Sequence, residues 1–279
     1  MLTIADALNK TRPAPVLVMD DDPESFTTTT NTPMYGSPAE AKRLPLTIRS
    51  IDEIMGIKLD TDTTIPDNGY LARGERTAIL GMGGIGKSRL VMQLAFCIRA
   101  GRDFLEWETN GENLRWLFFQ TENSVKRLQA DIPKMLASFT PDEQAAIRAG
   151  VFFHTLETDD DGIIYLDDSE HYQRVLAAIA ANTPDVVVWD PLRDCSYGDL
   201  NGDRDMSNVL RLITQATKRG NPKRTALVLH HATTGKAGIQ KVVGFDRSSF
   251  GRNSKALHGW ARAQINIAPA MPDDNSLLI

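Results

Sequence analysis

The feature that most constrains this chain is the run GMGGIGKS at Gly81–Ser88. It satisfies the pattern G-x-x-x-x-G-K-[ST] at every required position. A short apolar stretch, Thr77–Leu80, precedes it, and Ser88–Ala100 follows with apolar residues at helical spacing. A strand, a glycine-rich turn and a helix in this order are typical of a loop that binds the phosphates of a nucleotide.

Each residue type in this run has a physical reason. Glycines let the backbone curl so that successive N–H groups point at phosphate oxygens, and the N-terminus of the helix adds a positive field. We expect Lys87 to reach the β- and γ-phosphates and the Ser88 hydroxyl to ligate Mg²⁺, so the predicted cofactors are ATP and Mg²⁺. The predicted nucleotide-binding residues are Gly81, Met82, Gly83, Gly84, Ile85, Gly86, Lys87, Ser88 and Arg89.

Other glycine-rich loops fit less well. Gly81, Gly83 and Gly86 also satisfy the dinucleotide fingerprint, which requires an acid about 20 residues later, at the end of the next strand. Glu106 has that spacing but precedes the next predicted strand, Leu114–Phe119. A protein-kinase glycine loop fits less well still, because no H-R-D or D-F-G follows. A small-molecule kinase is disfavoured because no segment with clustered arginines suggests a lid.

Two acids follow predicted strands. Val186–Trp189 is a nearly continuous apolar run that ends in Asp190, the position from which such proteins hold Mg²⁺ together with the loop hydroxyl. No glutamate follows Asp190 directly, so the group that orients the attacking water must come from elsewhere. Glu122, just past Leu114–Phe119, is the predicted catalytic base, with a helix-capping role as the alternative.

Strand and helix patterns alternate from residue 71 onward, which predicts an α/β fold with a mainly parallel sheet flanked by helices. A short helix within Ile48–Ile57 is expected to pack on the edge of this domain, and Pro133 is expected to kink or divide the helix at Val125–Ala137. The remaining predicted strands are Val151–His154, Ala226–His230 and Ala263–Ile267, and the remaining predicted helices are His171–Ala181 and Asp203–Lys218.

The sequence predicts a flexible arm at 1–45, which is rich in Pro, Thr, Ser and Asp, and an ATPase domain at 46–279. Ser276–Ile279 has the pattern of a strand that stops at its beginning, which suggests a truncated C-terminus. With 279 residues, 42% of them apolar, the chain can bury one substantial core. A net charge of −5 argues against a protein that is basic throughout, although it allows a local basic site.

The location predicted for the protein is the cytoplasm. The N-terminus has no basic start followed by an apolar core, and no apolar run is long enough to cross a membrane, so no membrane partner is expected. The two cysteines, Cys97 and Cys195, do not form a disulfide framework or a metal-binding spacing.

A phosphate loop, an acid after the next strand and an aspartate after a later apolar strand together resemble the RecA-like ATPases. The run LVLHHA at Leu227–Ala232, followed by small residues and a lysine, looks like the family of the hexameric plasmid replication helicase RepA. This resemblance spans roughly Tyr70 to Ile267. It implies a RecA-like domain and a homo-oligomeric ring, with six subunits as in those relatives.

The resemblance also implies roles for individual residues. His231, rather than His230, would sense the γ-phosphate, since strand alternation turns its neighbour toward the sheet packing; hydrogen bonding within a loop is the alternative. Arg252 falls where these relatives carry an arginine finger, which completes the site of the neighbouring subunit. Lys255 and Arg262 remain alternatives for that finger.

A nucleic-acid site is indicated by a glycine-rich basic segment between His231 and Arg262, in which Asp246 is the only acid. Single-stranded DNA is the expected partner, with Phe245 and Phe250 able to stack on bases; a solvated loop without ligand is the alternative. The acid-rich stretch Arg193–Asp205 argues against a direct DNA contact there. The predicted DNA-binding residues are Lys236, Lys241 and Arg247.

Two functions therefore stay open. The first is an ATP-driven, helicase-like DNA motor or loader in replication, recombination or repair. The second is a regulatory ATPase switch that controls protein assembly without DNA translocation. The two differ in whether single-stranded DNA stimulates hydrolysis.

Overall fold

The structure is a computed structural model that describes residues 48–57, 64–65, 69–109, 113–155, 164–232, 255–269 and 277–278. The predicted N-terminal arm therefore lies outside the described residues. Among the described helices, none combines the length and the apolar character needed to cross a membrane.

Parallel strands form the central sheet. In chain order they are β1 (Arg76–Gly81), β2 (Trp116–Gln120), β3 (Val151–Phe153), β4 (Val186–Asp190), β5 (Thr225–His231) and β6 (Ala263–Pro269). Their spatial order is β3-β2-β4-β5-β1-β6, and a two-residue strand, β7 (Leu277–Leu278), pairs antiparallel with β6. The predicted α/β fold of the RecA-like type, with a mainly parallel sheet flanked by helices, is thereby confirmed.

Helix α1 (Ile51–Met55) precedes β1, and the other described helices lie in the connections between strands. They are α2 (Lys87–Ala100), α3 (Val125–Leu136), α4 (Pro141–Gly150), α5 (Ser169–Asn182), α6 (Asp203–Lys218) and α7 (Lys255–Trp260). A 3₁₀ turn, Leu192–Cys195, follows β4.

Two of these helices were not predicted, and one predicted break is absent. Helix α4 has its start signals in the sequence: Thr140 and Glu143 form a capping box, and Pro141 occupies the first turn. Helix α7 is a single six-residue segment, too short to show periodicity. Of the two effects expected of Pro133, the division of the helix is wrong, because α3 continues through this residue to Leu136.

The core lies on both faces of the sheet, as the continuous apolar run of β4 predicts. Val186 and Val188 point to the face covered by α2, whereas Val187 and Trp189 point to the face covered by α6. All four side chains are buried. A strand covered on both faces cannot shift without exposing apolar surface, so β4 delivers the residue at its end, Asp190, to a defined place.

Helix α1 forms where it was expected, but it does not pack on the domain as expected. Ser50 and Glu53 make a capping box that satisfies the N-terminus of the helix locally. None of its residues is buried, and Ile51 and Met55 are about four-fifths exposed, at 79% and 80%. The helix is therefore stabilised by its cap rather than by a core contact within the described chain.

Candidate functional site

Four strand ends meet at one edge of the sheet because β2, β4, β5 and β1 lie side by side and run in the same direction. The register pairs Gln120 with Asp190 and Gly81 with His231, so these strands end at nearly the same level. The side chains that follow them are brought together although the sequence separates them widely. The carboxyl edge of a parallel sheet is the usual place for a ligand site.

The loop after β1 has the backbone expected of an anion-binding turn. Gly84 and Gly86 have φ angles of 75° and 93°, a region that only glycine enters without strain. Gly86 is the residue before α2, so the loop leads directly into the positive end of that helix. At Gly81 a side chain would come within 2.9 Å of the carbonyl oxygen of Ile267, so glycine is required there by close packing against β6.

Lys87 is buried and its ammonium group rests on the loop itself. It donates hydrogen bonds to the carbonyl oxygens of Gly81 (3.1 Å) and Met82 (2.9 Å). Burial lowers the pKa of Lys87, while the negative charges of Asp190 and Glu122 act in the opposite direction. The cation is thus held at the loop by backbone oxygens that a phosphate can replace.

Asp190 lies at the end of β4 with only 4% of its surface exposed. Burial raises the pKa of Asp190 to about 6, and the negative charge of Glu122 adds to this effect. A hydrogen bond with Ser88 and the charges of Lys87 and His231 favour the ionised form. A buried carboxylate beside a hydroxyl is a suitable pair of oxygen ligands for Mg²⁺, which protein sites hold through one or two carboxylates and substrate phosphates.

Glu122, two residues past β2, is in a different environment. Its side chain is half exposed, and its Oε1 lies 3.4 Å from Nε2 of His231. The hydrogen bond with His231 lowers the pKa of Glu122, and the charges of His231, Lys87 and Arg193 act in the same direction. Glu122 is therefore an accessible carboxylate that stays ionised at neutral pH.

His231 lies between the phosphate loop and Glu122. Its ring contacts Glu122, and it lies close enough to the phosphate loop that a side chain on Gly83 would come within 3.7 Å of it. The preceding residue, His230, is buried. The strand alternation behind the choice of His231 thus agrees with the burial of the two histidines.

The sequence reasoning missed the residues that hold the backbone next to Glu122. The Thr121 amide donates to the carbonyl oxygen of Asp190 (3.0 Å), and the Thr121 hydroxyl donates to Oδ2 of Asp194 (2.7 Å). Asp194 lies in the 3₁₀ turn after β4. No motif carries this contact, because it joins residues 73 positions apart in the chain.

Arg89 is placed differently from what its position in the motif suggests. Its guanidinium makes a double hydrogen bond with the Asp131 carboxylate of α3, at 2.9 Å for the Nε–Oδ2 pair. This ion pair, with a further one from Arg127, lowers the pKa of Asp131 to about 2. The Arg89 side chain thus connects α2 to α3, so the predicted contact of this residue with nucleotide would come from its backbone amide.

Several predicted site residues lie outside the described residues. These are Arg252, the DNA-binding candidates Lys236, Lys241 and Arg247, and the aromatic residues Phe245 and Phe250. Of the two alternatives to Arg252, Lys255 is the first residue of α7 and is exposed, and Arg262 has its Nε 3.7 Å from Oε2 of Glu75.

A glycine-rich phosphate loop, a buried aspartate two strands away and an accessible glutamate beyond it define a P-loop ATPase, a class that binds ATP and typically Mg²⁺. Residues 52–237 match the family AAA_25, described as an AAA domain. The match covers well over half of the chain, and the protein belongs to this family of P-loop ATPases, which is related to RecA-like helicases. No curated protein matches the chain.

Proposed function

We propose that this protein is an ATP-hydrolysing DNA motor or loader of the helicase type, which works as a homo-oligomeric ring and is related to the RepA replication helicases. The observation that supports this proposal most directly is the set of side chains at the carboxyl edge of the sheet. Lys87, Asp190 and Glu122 interact electrostatically with one another there, and His231 interacts with both carboxylates. Each of the four side chains matches one part of a phosphoryl-transfer site.

In the proposed reaction, the P-loop amides and Lys87 hold the phosphates, and Lys87 exchanges its two carbonyl partners for phosphate oxygens. Ser88 and Asp190 hold Mg²⁺, which neutralises developing phosphate charge when it is bound. Glu122 orients the attacking water and accepts its proton, a role for which an accessible and ionised carboxylate is required.

His231 is proposed to report the γ-phosphate to Glu122. It touches the base on one side and lies beside Gly83 of the phosphate loop on the other. A phosphate oxygen at the loop would compete with Glu122 for the same imidazole. Binding of ATP would therefore change the position of the base, which couples the state of the nucleotide to hydrolysis.

Arg252 is proposed to complete the site of the neighbouring subunit, and Lys236, Lys241 and Arg247 are proposed to contact the phosphates of single-stranded DNA. Both proposals rest on the sequence alone. Mixing inactive Arg252→Ala subunits with inactive Lys87→Ala subunits tests the first one. Recovery of part of the ATPase activity is expected because one type of interface then carries an intact loop and an intact finger, and no recovery at any ratio would count against it.

The second candidate, a regulatory ATPase switch, is favoured by the pairing of Glu122 with His231. A catalytic base that is hydrogen-bonded to a histidine implies slow ATP hydrolysis until a partner protein separates Glu122 from His231. The acid-rich turn after β4 also offers poor contacts for DNA, because its carboxylates repel phosphate and Arg193 is paired with Asp194 (3.5 Å).

The ATPase rate measured against added single-stranded DNA distinguishes the two candidates. A motor is expected to show stimulation of about tenfold or more, which decreases as salt rises because phosphate contacts release counterions. Lys87→Ala is the control for hydrolysis by contaminants. A Lys236→Ala/Lys241→Ala variant should keep basal turnover and lose the stimulation. Real basal turnover that does not respond to DNA would contradict the motor and support the switch.

A further inference from the structure

Gln120, the last residue of β2, is an amide side chain buried at the end of an otherwise apolar strand. Only 2% of its surface is exposed, and the rest of the strand, residues 116–119, is apolar. A buried amide destabilises a fold unless its donors and its acceptor are hydrogen-bonded. The hydrogen bonds of Gln120 therefore explain why this strand ends in a polar residue.

The amide makes three hydrogen bonds with backbone groups. Its Nε2 donates to the carbonyl oxygens of Asn123 (3.0 Å) and His154 (2.9 Å), and its Oε1 accepts from the Asn123 amide (2.8 Å). Turning the amide over would place its oxygen against two carbonyl oxygens, so the network determines the orientation of the group. The Gln120 side chain thus binds both backbone polar groups of Asn123.

His154 supports this amide from the neighbouring strand. The residue follows β3, and its backbone N–H donates to the Phe118 carbonyl oxygen (2.8 Å), which continues the pairing of β3 with β2. The Nδ1 atom of His154 lies 3.3 Å from the carbonyl oxygen of Gln120, and because a carbonyl only accepts, Nδ1 carries the proton in this contact. Gln120 is therefore held by His154 through both its main chain and its side chain.

Glu122 lies between two residues whose backbone is held in this way. On one side, the Thr121 amide donates to the carbonyl oxygen of Asp190 (3.0 Å). On the other side, Gln120 binds the N–H and the carbonyl oxygen of Asn123. The Glu122 side chain itself is half exposed. The backbone that carries this accessible carboxylate is therefore fixed at both neighbours, which limits the positions that the carboxylate can reach.

The position of a catalytic group matters because a misplacement of about 1 Å can lower the rate about a hundredfold. We propose that Gln120 is a positioning residue, which places the Glu122 carboxylate relative to the phosphate loop and has no contact of its own with the nucleotide. The inference rests on the proposed function, because it takes Glu122 as the base that orients the attacking water.

Gln120→Met keeps the length of the side chain and removes its hydrogen bonds to Asn123 and His154. It should lower kcat by about 10–100-fold and leave the dissociation constant of ATP, measured with Mg²⁺, within about threefold of the wild-type value. Steady-state hydrolysis and nucleotide titration measure the two quantities. A wild-type kcat in the folded variant, or a loss confined to ATP affinity, would overturn the proposal.

Gln144 of α4 provides a matched control for lost stability. Its Nε2 also donates to two backbone carbonyl oxygens, those of Leu136 (3.1 Å) and Phe139 (3.0 Å), where α3 leads into α4. Gln144→Met should lower the urea midpoint much as Gln120→Met does, and it should leave kcat near the wild-type value. An equal fall of kcat in both variants would identify lost stability as the cause and contradict the positioning role.

Hydrogen exchange tests the contact in the wild-type protein, whatever a variant does to folding. The Asn123 amide lies outside the helices and strands, yet its N–H donates to a buried side chain. This amide should exchange about tenfold or more slowly than in an unstructured peptide. Exchange at the unstructured rate would show that Gln120 does not hold the turn, and the proposal would fail.

The Glu122→Gln background separates positioning of the base from other effects on the site. If Gln120 acts through Glu122, adding Gln120→Met to Glu122→Gln should leave the residual single-turnover rate unchanged within about twofold. A further fall as large as in the single variant would assign Gln120 another role and overturn the proposal. Wild-type turnover of Glu122→Gln alone would remove the base from the proposed function. An inactive Glu122→Gln beside a fully active Gln120→Met would keep the base and remove only the positioning role.

Discussion

The ends of β4 and β2 each carry one carboxylate, yet the two groups differ in almost every physical respect. Asp190 is 4% exposed, and burial raises its pKa to about 6. The Glu122 side chain is half exposed, and its contact with His231 lowers its pKa. Asp190 faces the hydroxyl of the phosphate loop, and Glu122 faces a histidine at the end of β5.

One edge of the sheet thus provides two kinds of acid. A residue at the end of a strand covered on both faces is enclosed, which suits a metal ligand that must not move. A residue two positions past the strand end reaches solvent, which suits a group that must meet water. The distance of each acid from the last sheet hydrogen bond therefore decides its environment more than its residue type does.

The largest effect is expected at Glu122. Glu122→Gln removes the proposed base without changing side-chain size and should lower kcat by about 10²–10⁴, while ATP affinity stays near the wild-type value. Steady-state hydrolysis together with nucleotide titration measures both quantities. Glu170→Gln, on an exposed glutamate of α5, is the control. A variant with wild-type turnover would remove Glu122 from the mechanism and end the proposed division of roles.

Replacing Asp190 should stabilise the nucleotide-free protein, because the negative charge of this buried carboxylate destabilises the folded state. Its folded pKa of about 6 exceeds the ordinary value of 3.8, so the folded state holds a proton that the unfolded state has lost. Stability therefore falls as pH rises from about 4 to about 6 and stays lower above that range, by at most about 3 kcal/mol.

Asp190→Asn should consequently raise the free energy of unfolding of the nucleotide-free protein by about 1–3 kcal/mol at pH 8 and much less near pH 4. It should weaken Mg²⁺-dependent nucleotide binding at the same time. Urea unfolding at the two pH values, without nucleotide or Mg²⁺, measures the first effect. An equal stability change at both pH values would show that the carboxylate charge is not its cause.

Thr121 connects the ends of β2 and β4, so its replacement should disturb the position of Glu122 relative to Asp190. Thr121→Val removes the hydroxyl that donates to Asp194 and should lower kcat by about threefold to tenfold, since one such hydrogen bond is worth about 1 kcal/mol. Nucleotide affinity should change little. Asp194→Asn keeps an acceptor and should have a smaller effect. A change in affinity alone would show that Thr121 supports the loop rather than the base.

The smallest effect concerns the titration of Glu122. His231→Gln removes the histidine charge and should raise the pKa of Glu122 toward its ordinary range. The acid limb of kcat, measured between about pH 4 and pH 7, should then move to higher pH. An unmoved limb would mean that Glu122 is not the group that limits activity in acid.

The parts of the fold that were predicted from the sequence share a strong local signal. Continuous apolar runs marked β2 and β4, and the strand, loop and helix around Gly81–Ser88 follow from glycine spacing. Helix α4 was missed although Thr140 and Glu143 spell a capping box, because no long periodic run followed. The packing of α1 was predicted wrongly, since an apolar stripe does not say which surface covers it.

The candidate site also has features that the sequence predicted and features that it did not. Glu122 and Asp190 were chosen because acids after apolar strands fall at the carboxyl edge of a parallel sheet. The contacts of Thr121 with Asp194 and of Arg89 with Asp131 were not foreseeable, because each joins segments whose neighbourhood depends on strand order.

By itself, the sequence determined that this protein has a phosphate-binding loop and alternating strands and helices, because backbone conformation and apolar periodicity are local properties. Only the tertiary structure decided that β5 lies between β1 and β4. That order places His231 between the loop and Glu122 and encloses Asp190. The reason is that burial and charge contacts arise between segments far apart in the chain. These contacts give Asp190 and Glu122 different pKa values.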